Sequence, residues 1–192
     1  MQSDVQNETQ PIRIAFLGYM ELDKGAAYRG GILVADEWGK PLEFRCTAPV
    51  RPNPVQRTLY GETLMPHIAV ELVGTPLLRS LEEKPQVVVI QDGVFFDLRN
   101  HTDTPVVRMR RQGTQVKVTG DDDSKNAGSI AIDSTTGKFQ PVILEAHRQF
   151  PNDTSAWRDT LAQLFSRWDL IEPFDRLTKA LEYVHQEKVL EG

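Results

Sequence analysis

The longest apolar-periodic segment of the chain is VQRTLYGETLMPHIAVELVGTPLLRSLEE, residues 55–83. Leu64, Ile68 and Leu72 recur every four residues, and a second apolar row lies one position further along. This spacing predicts helical structure whose broad apolar face, Leu72 included, is buried against one side of a sheet. The segment separates two regions that are rich in strand-like runs, so we expect it to hold them together.

Two prolines and a glycine divide this segment. Pro66 is expected in the first turn of a helix, where its missing N–H costs little. The triplet Gly74-Thr75-Pro76 predicts a break, at which one helix ends on Gly74 and Thr75 caps a second. The sequence therefore predicts two helices.

The composition is that of an ordinary globular protein, with 40% hydrophobic and 26% charged residues among 192. This length fits one domain, or one domain with an appendage. A formal net charge of -5 argues against general polyanion binding, because neutralising phosphates needs a surplus of Lys and Arg. The single cysteine, Cys46, excludes an intramolecular disulfide and a multi-cysteine zinc site.

The amino-terminal sequence lacks the basic and apolar regions of a signal peptide. No run approaches the roughly eighteen apolar residues that a membrane span needs. We therefore expect a cytoplasmic protein without membrane association, in which residues 1–10 are disordered.

Short apolar runs predict strands on both sides of the central segment. The runs before it are IRIAFLG (12–18), ILVAD (32–36) and PLEFRC (41–46), and the last two are expected to form an antiparallel hairpin around Gly39. The run VVVI (87–90) follows the segment and is typical of a fully buried strand parallel to the first.

The rest of the chain predicts a β-meander and then a helical hairpin. The meander comprises VVRMRR (106–111) with TQVKV (114–118), then SIAID (129–133) with KFQPVILEAH (138–147). Apolar residues at helical spacing follow in residues 151–192.

We therefore predict an α+β domain over residues 11–150, with a mixed sheet and with a mixed α/β arrangement as the alternative. The helical hairpin of residues 151–192 is expected to pack on this domain or on a partner.

The order strand, strand, strand, helix, strand over residues 12–92 resembles the start of ribonuclease-H-like and actin-like domains. The resemblance implies a carboxylate on the first strand that holds a divalent metal together with acidic partners on the helix and the fourth strand. Here the first strand carries none. The nearest candidates are Glu21 and Asp23 in the following loop and Asp92 after the fourth strand.

Other interpretations of these residues stay open. Glu62 or Glu71 could supply the carboxylate from the helix, while Asp92 also fits an Asp-Gly turn that simply ends a strand. The glycines between residues 19 and 31 could cradle a phosphate through backbone N–H groups. They lack the spacing of known phosphate-binding loops, and Gly30-Gly31 equally suits hairpin geometry.

Basic and aromatic side chains provide candidate binding surfaces. Arginines and a lysine on two adjacent predicted strands form one basic face, and tryptophans lie on one stripe of the helical hairpin. These candidate binding residues are Arg108, Arg110, Arg111, Lys117, Trp157 and Trp168. A second basic cluster, Arg45, Arg51 and Arg57, surrounds the Pro-rich turn.

From the lack of a complete catalytic motif we predict a non-catalytic interaction or accessory subunit of an intracellular multi-protein assembly. It would need no cofactor and would bind a protein partner as an oligomer or a hetero-complex, with nucleic acid as a further partner of the basic patches. The alternative is a divergent ribonuclease-H-like metal-dependent nuclease or a nucleotide-binding protein.

Overall fold

The fold is built on a mixed sheet with helices on both faces, which confirms the predicted α+β class. The computed structural model describes residues 11–113, 126–134 and 136–190. Within them seven strands pair in the order β3-β2-β1-β4-β5-β7-β6. The strands are β1 (Arg13–Leu22), β2 (Ala27–Asp36), β3 (Pro41–Cys46), β4 (Val87–Ile90), β5 (Val106–Arg111), β6 (Asn126–Ile132) and β7 (Val142–His147).

Helices cover the sheet on its two sides. They are α1 (Pro54–Tyr60), α2 (64–80), a 3-10 helix (Gly93–His101), α3 (Asn152–Phe165) and α4 (Glu172–Leu190). One apolar core lies between the sheet and α2 with the 3-10 helix, and a second lies between the sheet and the C-terminal helices α3 and α4. No helix in the described part of the chain is long and apolar enough to cross a membrane.

Two strand pairings predicted for the first half are confirmed, whereas the long antiparallel hairpin of β1 and β2 was not predicted. β2 and β3 are antiparallel, and β4 is parallel to β1. However, β1 continues to Leu22 and β2 begins at Ala27, so the predicted loop of residues 19–31 shrinks to a short turn that includes a 3-10 segment, Asp23–Gly25. The expectation missed this because Glu21 and Arg29, both charged, lie inside the strands.

A glycine occupies position 30 of β2 because α2 crosses the sheet very closely at that point. A Cβ added to Gly30 would lie 2.0 Å from Cγ1 of Val73. Gly30 therefore permits close helix–sheet packing and does not belong to a phosphate cradle or a hairpin turn.

The predicted break in the central segment is wrong, because residues 64–80 form one continuous helix. Gly74 has helical angles, φ −62° and ψ −52°. The Thr75 N–H donates to the carbonyl of Val70, five residues earlier, within a π-helical stretch, His67–Gly74. The next residue, Pro76, has no N–H, and the wider π-turn accommodates it inside the helix.

The wider π-turn also changes which residues face the core. Val73 is fully buried, whereas Leu72 is 40% exposed. The expectation that Leu72 is buried is therefore wrong, because a regular α-helical period does not hold through this stretch.

In the described part of the second half, one predicted hairpin is confirmed, and the pairings of β5 were not predicted. β6 and β7 form the expected antiparallel pair, and β5 joins β4 in parallel. The predicted strand 114–118 and the predicted disorder of residues 1–10 lie outside the described residues. The run GVFFDLR, residues 93–99, lies in the 3-10 helix.

The C-terminal helical hairpin packs on the sheet. Trp168 makes an edge contact with Phe16 at 6.2 Å between ring centroids, and its Nε1–H donates to the carbonyl of Glu37 at 3.1 Å. Trp157, half-buried, packs against the same core. Both tryptophans thus make contacts within the chain.

Candidate functional site

A cleft of about 290 Å³ opens where the parallel strands β1 and β4 end. The paired residues of these strands end at Leu17 and Ile90, and β1 continues past this point alongside β2. The cleft lies between that extension, α4 and the start of the 3-10 helix. Its lining residues are Leu17, Gly18, Tyr19, Glu21, Gln91, Asp92, Phe95, Phe174, Leu177, Thr178 and Leu181. Crevices at the carboxyl ends of parallel strands are the usual ligand sites of open sheets.

Tyr19 and Asp92 form the polar centre of this cleft. The Tyr19 hydroxyl donates to Oδ2 of Asp92 at 3.1 Å, while Oδ1 of Asp92 accepts from the N–H of Val94 at 3.0 Å. Burial, and after it the charge of Asp92, raises the pKa of Tyr19 far above its ordinary value. The phenol is therefore held neutral as a hydrogen-bond donor.

The second hydrogen bond also accounts for the local structure after β4. Asp92 caps the 3-10 helix through Val94, which agrees with the interpretation of Asp92-Gly93 as a turn. One carboxylate oxygen of Asp92 therefore stabilises the 3-10 helix, and the other contacts Tyr19 in the cleft.

The three predicted metal ligands are not brought together. Glu21 lies on β1, exposed, and it lines the cleft with Asp92. Asp23 instead binds Arg51 at 2.5 Å. Glu71, which could have supplied a helix carboxylate, pairs with His67 at 3.2 Å.

A divalent metal, which the ribonuclease-H-like arrangement implies, does not fit these side chains. The phenol of Tyr19 occupies the place next to Asp92 where a first-strand carboxylate would stand, and it donates a hydrogen bond that a metal-binding oxygen would have to give up. The described residues contain no group of three or more His, Cys, Asp or Glu side chains placed to hold a metal ion.

Cationic side chains lie beside the cleft, around the turn between β1 and β2. Arg57 donates from Nη2 to the carbonyls of Gly25 and Ala26 at 2.9 and 3.1 Å. This turn adjoins the cleft, because a Cβ on Gly25 would lie 3.9 Å from Oε2 of the cleft residue Glu21. Lys24, in the same turn, has a positive φ of 56°.

The predicted basic face of β5 is occupied by contacts within the chain. Nε of Arg108 lies 2.6 Å from Oε2 of Glu145, and Nη2 of Arg110 lies 3.2 Å from Oε1 of the same carboxylate. Burial alone would raise the pKa of Glu145, but the hydrogen bonds from both arginines outweigh it and lower that pKa. Glu145 is therefore a buried anion within a pair of arginines.

Arg111, Trp157 and Trp168 are not among the residues that line the cleft. Arg111 pairs with Asp169 and also donates to the carbonyl of Gln140. Lys117 lies outside the described residues. A binding role for these residues and for the two tryptophans stays a prediction.

Sequence reasoning identified Glu21 and Asp92 but missed the other polar residues of the cleft, namely Tyr19, Gln91 and Thr178. The available signal was the parallel register, because extending the pairs Phe16–Val89 and Leu17–Ile90 by two residues places Tyr19 beside Asp92. Thr178 carries no such signal, since α4 reaches the cleft only through tertiary packing.

Comparison with solved structures identifies the fold. Endonuclease V of Streptomyces avermitilis superposes with a TM-score of 0.56 at 13% identity, over 92% of this chain and 82% of its own. The catalytic domain of human endonuclease V gives 0.54 at 14% identity, over 95% and 85%. Endonuclease V of Bacillus subtilis gives 0.52 at 13% identity, over 93% and 83%. No protein-family model matches the sequence, and no curated protein matches it.

At these identities the likeness establishes the fold alone. It nevertheless contradicts the prediction of a non-catalytic accessory subunit, which rested on the lack of a motif, and it favours the alternative based on the order of the elements. The lack of a motif was misleading, because proteins can share a fold when their sequences have little in common.

Proposed function

We propose that this protein binds nucleic acid and that the cleft at the ends of β1 and β4 takes one unstacked nucleotide. The observation that carries the proposal is the cleft itself, in which apolar and aromatic walls surround a few polar groups. Sites for small ligands are generally apolar, with a small number of placed polar groups that fix orientation.

The polar groups of the cleft suit the edge of a base. Carboxylates such as Asp92 and Glu21 accept hydrogen bonds from base N–H groups, and Gln91 can both donate and accept. Phe95 and Phe174 line the walls, and aromatic side chains are common partners of unstacked bases.

The phosphates of the bound strand would lie on the β1–β2 turn beside the cleft. Lys24, Arg51 and Arg57 meet there, on an otherwise acidic chain. Asp23 neutralises part of the charge of Arg51, so the patch is small. We therefore expect weak, salt-sensitive binding of a short segment instead of general polyanion binding.

The fold relatives support this proposal. Endonuclease V of Ciona intestinalis, whose structure holds a DNA containing an inosine, superposes with a TM-score of 0.50 at 11% identity, over 94% of this chain and 88% of its own. A DNA complex on the same fold makes nucleic acid the first ligand to test.

The test is the binding of fluorescently labelled single-stranded DNA and RNA, measured by anisotropy at low salt. Thr178→Trp places a large ring in the mouth of the cleft and should weaken binding about tenfold, the scale of one lost stacking contact. Ser155→Trp, on an exposed position of α3, is the matched control and should bind as the native chain does. Equal affinity of native and Thr178→Trp proteins would contradict the proposal.

A nuclease that depends on a divalent cation is the second candidate function. It is favoured by Glu21 and Asp92 sharing one cleft, and the fold relatives are endonucleases. The poor fit of Tyr19 to a metal site weighs against it. Incubation of labelled DNA and RNA with Mg²⁺ or Mn²⁺ tests it, and cleavage that Asp92→Asn abolishes would establish it.

A further inference from the structure

A second cavity, of about 190 Å³, lies at the other end of the parallel strands, where β4 and β5 begin. It is enclosed by the end of α2, the segment before β4 and the segment before β5. Its lining residues are Thr75, Leu78, Arg79, Lys84, Pro85, Leu98, His101, Thr102 and Thr104. The lining contains two permanent cations, an imidazole and three hydroxyl groups, and no carboxylate.

The cations of this cavity are not neutralised by their neighbours. Among the described residues Arg79 forms no ion pair. Lys84 donates one hydrogen bond, to the carbonyl of Leu81, which leaves further ammonium donors. Asp103 is exposed and does not line the cavity.

The acidic residues next to Lys84 in sequence are engaged elsewhere. Glu82 binds Arg45 at 3.2 Å, and Glu83 binds Arg13 at 2.7 Å. The positive charge at the cavity is therefore not cancelled, although the chain as a whole is acidic.

One hydroxyl beside the cavity has a donor that no neighbouring group in the described part of the chain accepts. Thr75 lines this cavity, and its Oγ1 is buried and has no hydrogen-bond partner among the described residues. A buried polar group that nothing satisfies destabilises the fold. Oγ1 of Thr102 accepts from the N–H of Thr104, so its own proton stays available to a ligand.

From these contacts we infer that the cavity is a binding site for a phosphate group. Arg79 and Lys84 supply the charge, and the threonine hydroxyls supply neutral donors, a combination that suits a phosphate. The site is separate from the nucleotide cleft, because the two cavities lie at opposite ends of β4 and share no lining residue. It therefore goes beyond the function proposed above.

Calorimetric titration of the full chain with inorganic phosphate tests the site. Arg79→Gln should weaken binding at least about tenfold, the loss expected for a charge-assisted hydrogen bond. Arg148→Gln removes an exposed arginine outside the cavity and should leave the affinity unchanged. Thr75→Val should weaken phosphate binding while keeping or raising the melting temperature, which a purely structural role of the hydroxyl would not produce.

The same variants distinguish the sources of the phosphate. If Arg79→Gln weakens the binding of adenosine 5′-monophosphate but not of long single-stranded DNA, the natural ligand is a small phosphorylated molecule. If it weakens the binding of long single-stranded DNA, the ligand is a backbone phosphate. Thr178→Trp should leave inorganic phosphate binding intact, so the site and the proposed function can fail separately. No saturable phosphate binding, or equal binding by native and Arg79→Gln proteins, would overturn the inference.

Discussion

The hydroxyl of Tyr19 lies 3.1 Å from Oδ2 of Asp92, at the point where the parallel strands β1 and β4 end together. This hydrogen bond joins two strands beyond their last backbone pair. It gives the cleft a neutral donor and an anionic acceptor in contact, where the ribonuclease-H-like arrangement implies two metal-binding carboxylates. The recognition role proposed for the cleft depends on this pair of hydrogen-bonding groups.

Replacing Asp92 by Asn should lower the pKa of Tyr19. Burial is the larger cause of the raised pKa and would remain, whereas the carboxylate charge would be lost. Phenolate absorbance during a pH titration should show one of the four tyrosines ionising at lower pH than in the native protein. Tyr19→Phe identifies that step by removing it, and superimposable native and Asp92→Asn curves would refute the coupling.

The raised pKa of Tyr19 also makes the stability of the fold depend on pH. Because the folded pKa of Tyr19 is raised, its contribution is fully present below the unfolded value of about 10 and is lost as the pH rises above it. Tyr19→Phe should therefore lose less stability than the native protein between neutral and strongly alkaline pH, as measured by urea unfolding.

Gly30→Ala should destabilise the fold by about 3 kcal/mol, because the added methyl would overlap Val73 on α2. Thermal unfolding measures the loss, and a second substitution, Val73→Ala, should restore part of it. Gly18→Ala is the control, since its Cβ would meet Leu177 at 3.5 Å, an ordinary contact. A Gly30→Ala protein as stable as that control would mean that α2 does not cross the sheet so closely.

The π-helical stretch predicts that the same substitution at two adjacent positions causes very different losses of stability. Leu72→Asp should cost about 1 kcal/mol because Leu72 is 40% exposed, whereas Val73→Asp should cost several kcal/mol by burying a charge. Urea unfolding of the two variants compares them directly. A regular α-helix with Leu72 inward would reverse the order.

Glu145→Gln should cost about 3–5 kcal/mol, because it removes a buried carboxylate that faces two arginines. Glu172→Gln breaks only the half-exposed pair with Arg176 and should cost at most about 0.5 kcal/mol. Urea unfolding at neutral pH gives both values, and equal values would contradict the role assigned to Glu145.

The lowered pKa of Glu145 also makes its contribution to folding stability depend on pH. Its contribution is present above the unfolded pKa of about 4.3 and is lost as the pH falls through the folded value. The stability difference between the native and Glu145→Gln proteins should therefore shrink on acidification. A difference that stays constant down to pH 2 would count against a charged Glu145 in the fold.

The sequence predicted the fold wherever local signals and tertiary structure agreed. The run VVVI and the turn at Gly39 marked strands that the structure contains, and their order was enough for the resemblance to ribonuclease-H-like domains. Long-range packing decided the rest. Arg29 lies buried within β2, and Gly74 lies inside a helix at a point where a Cβ would approach Leu98 at 3.2 Å, so close packing accounts for the glycine there.

The site was harder to predict than the fold. Glu21 and Asp92 were found because carboxylates stand out near strand ends, but the partner of Asp92 is a tyrosine, which no metal-site pattern includes. The grouping of Asp23 with them failed because Arg51, distant in sequence, binds its carboxylate. Arg108 and Arg110 looked like an exposed basic face because Glu145, on β7, could not be placed opposite them without the register.

The most direct test of the central claim is photo-crosslinking with oligonucleotides that carry a photoreactive base, followed by mass spectrometry of the peptides. A nucleotide in the cleft predicts adducts on Tyr19, Phe95 or Phe174, at a yield that saturates with oligonucleotide and falls in Thr178→Trp. Adducts found only outside the cleft, or none under conditions where the strand binds, would contradict it.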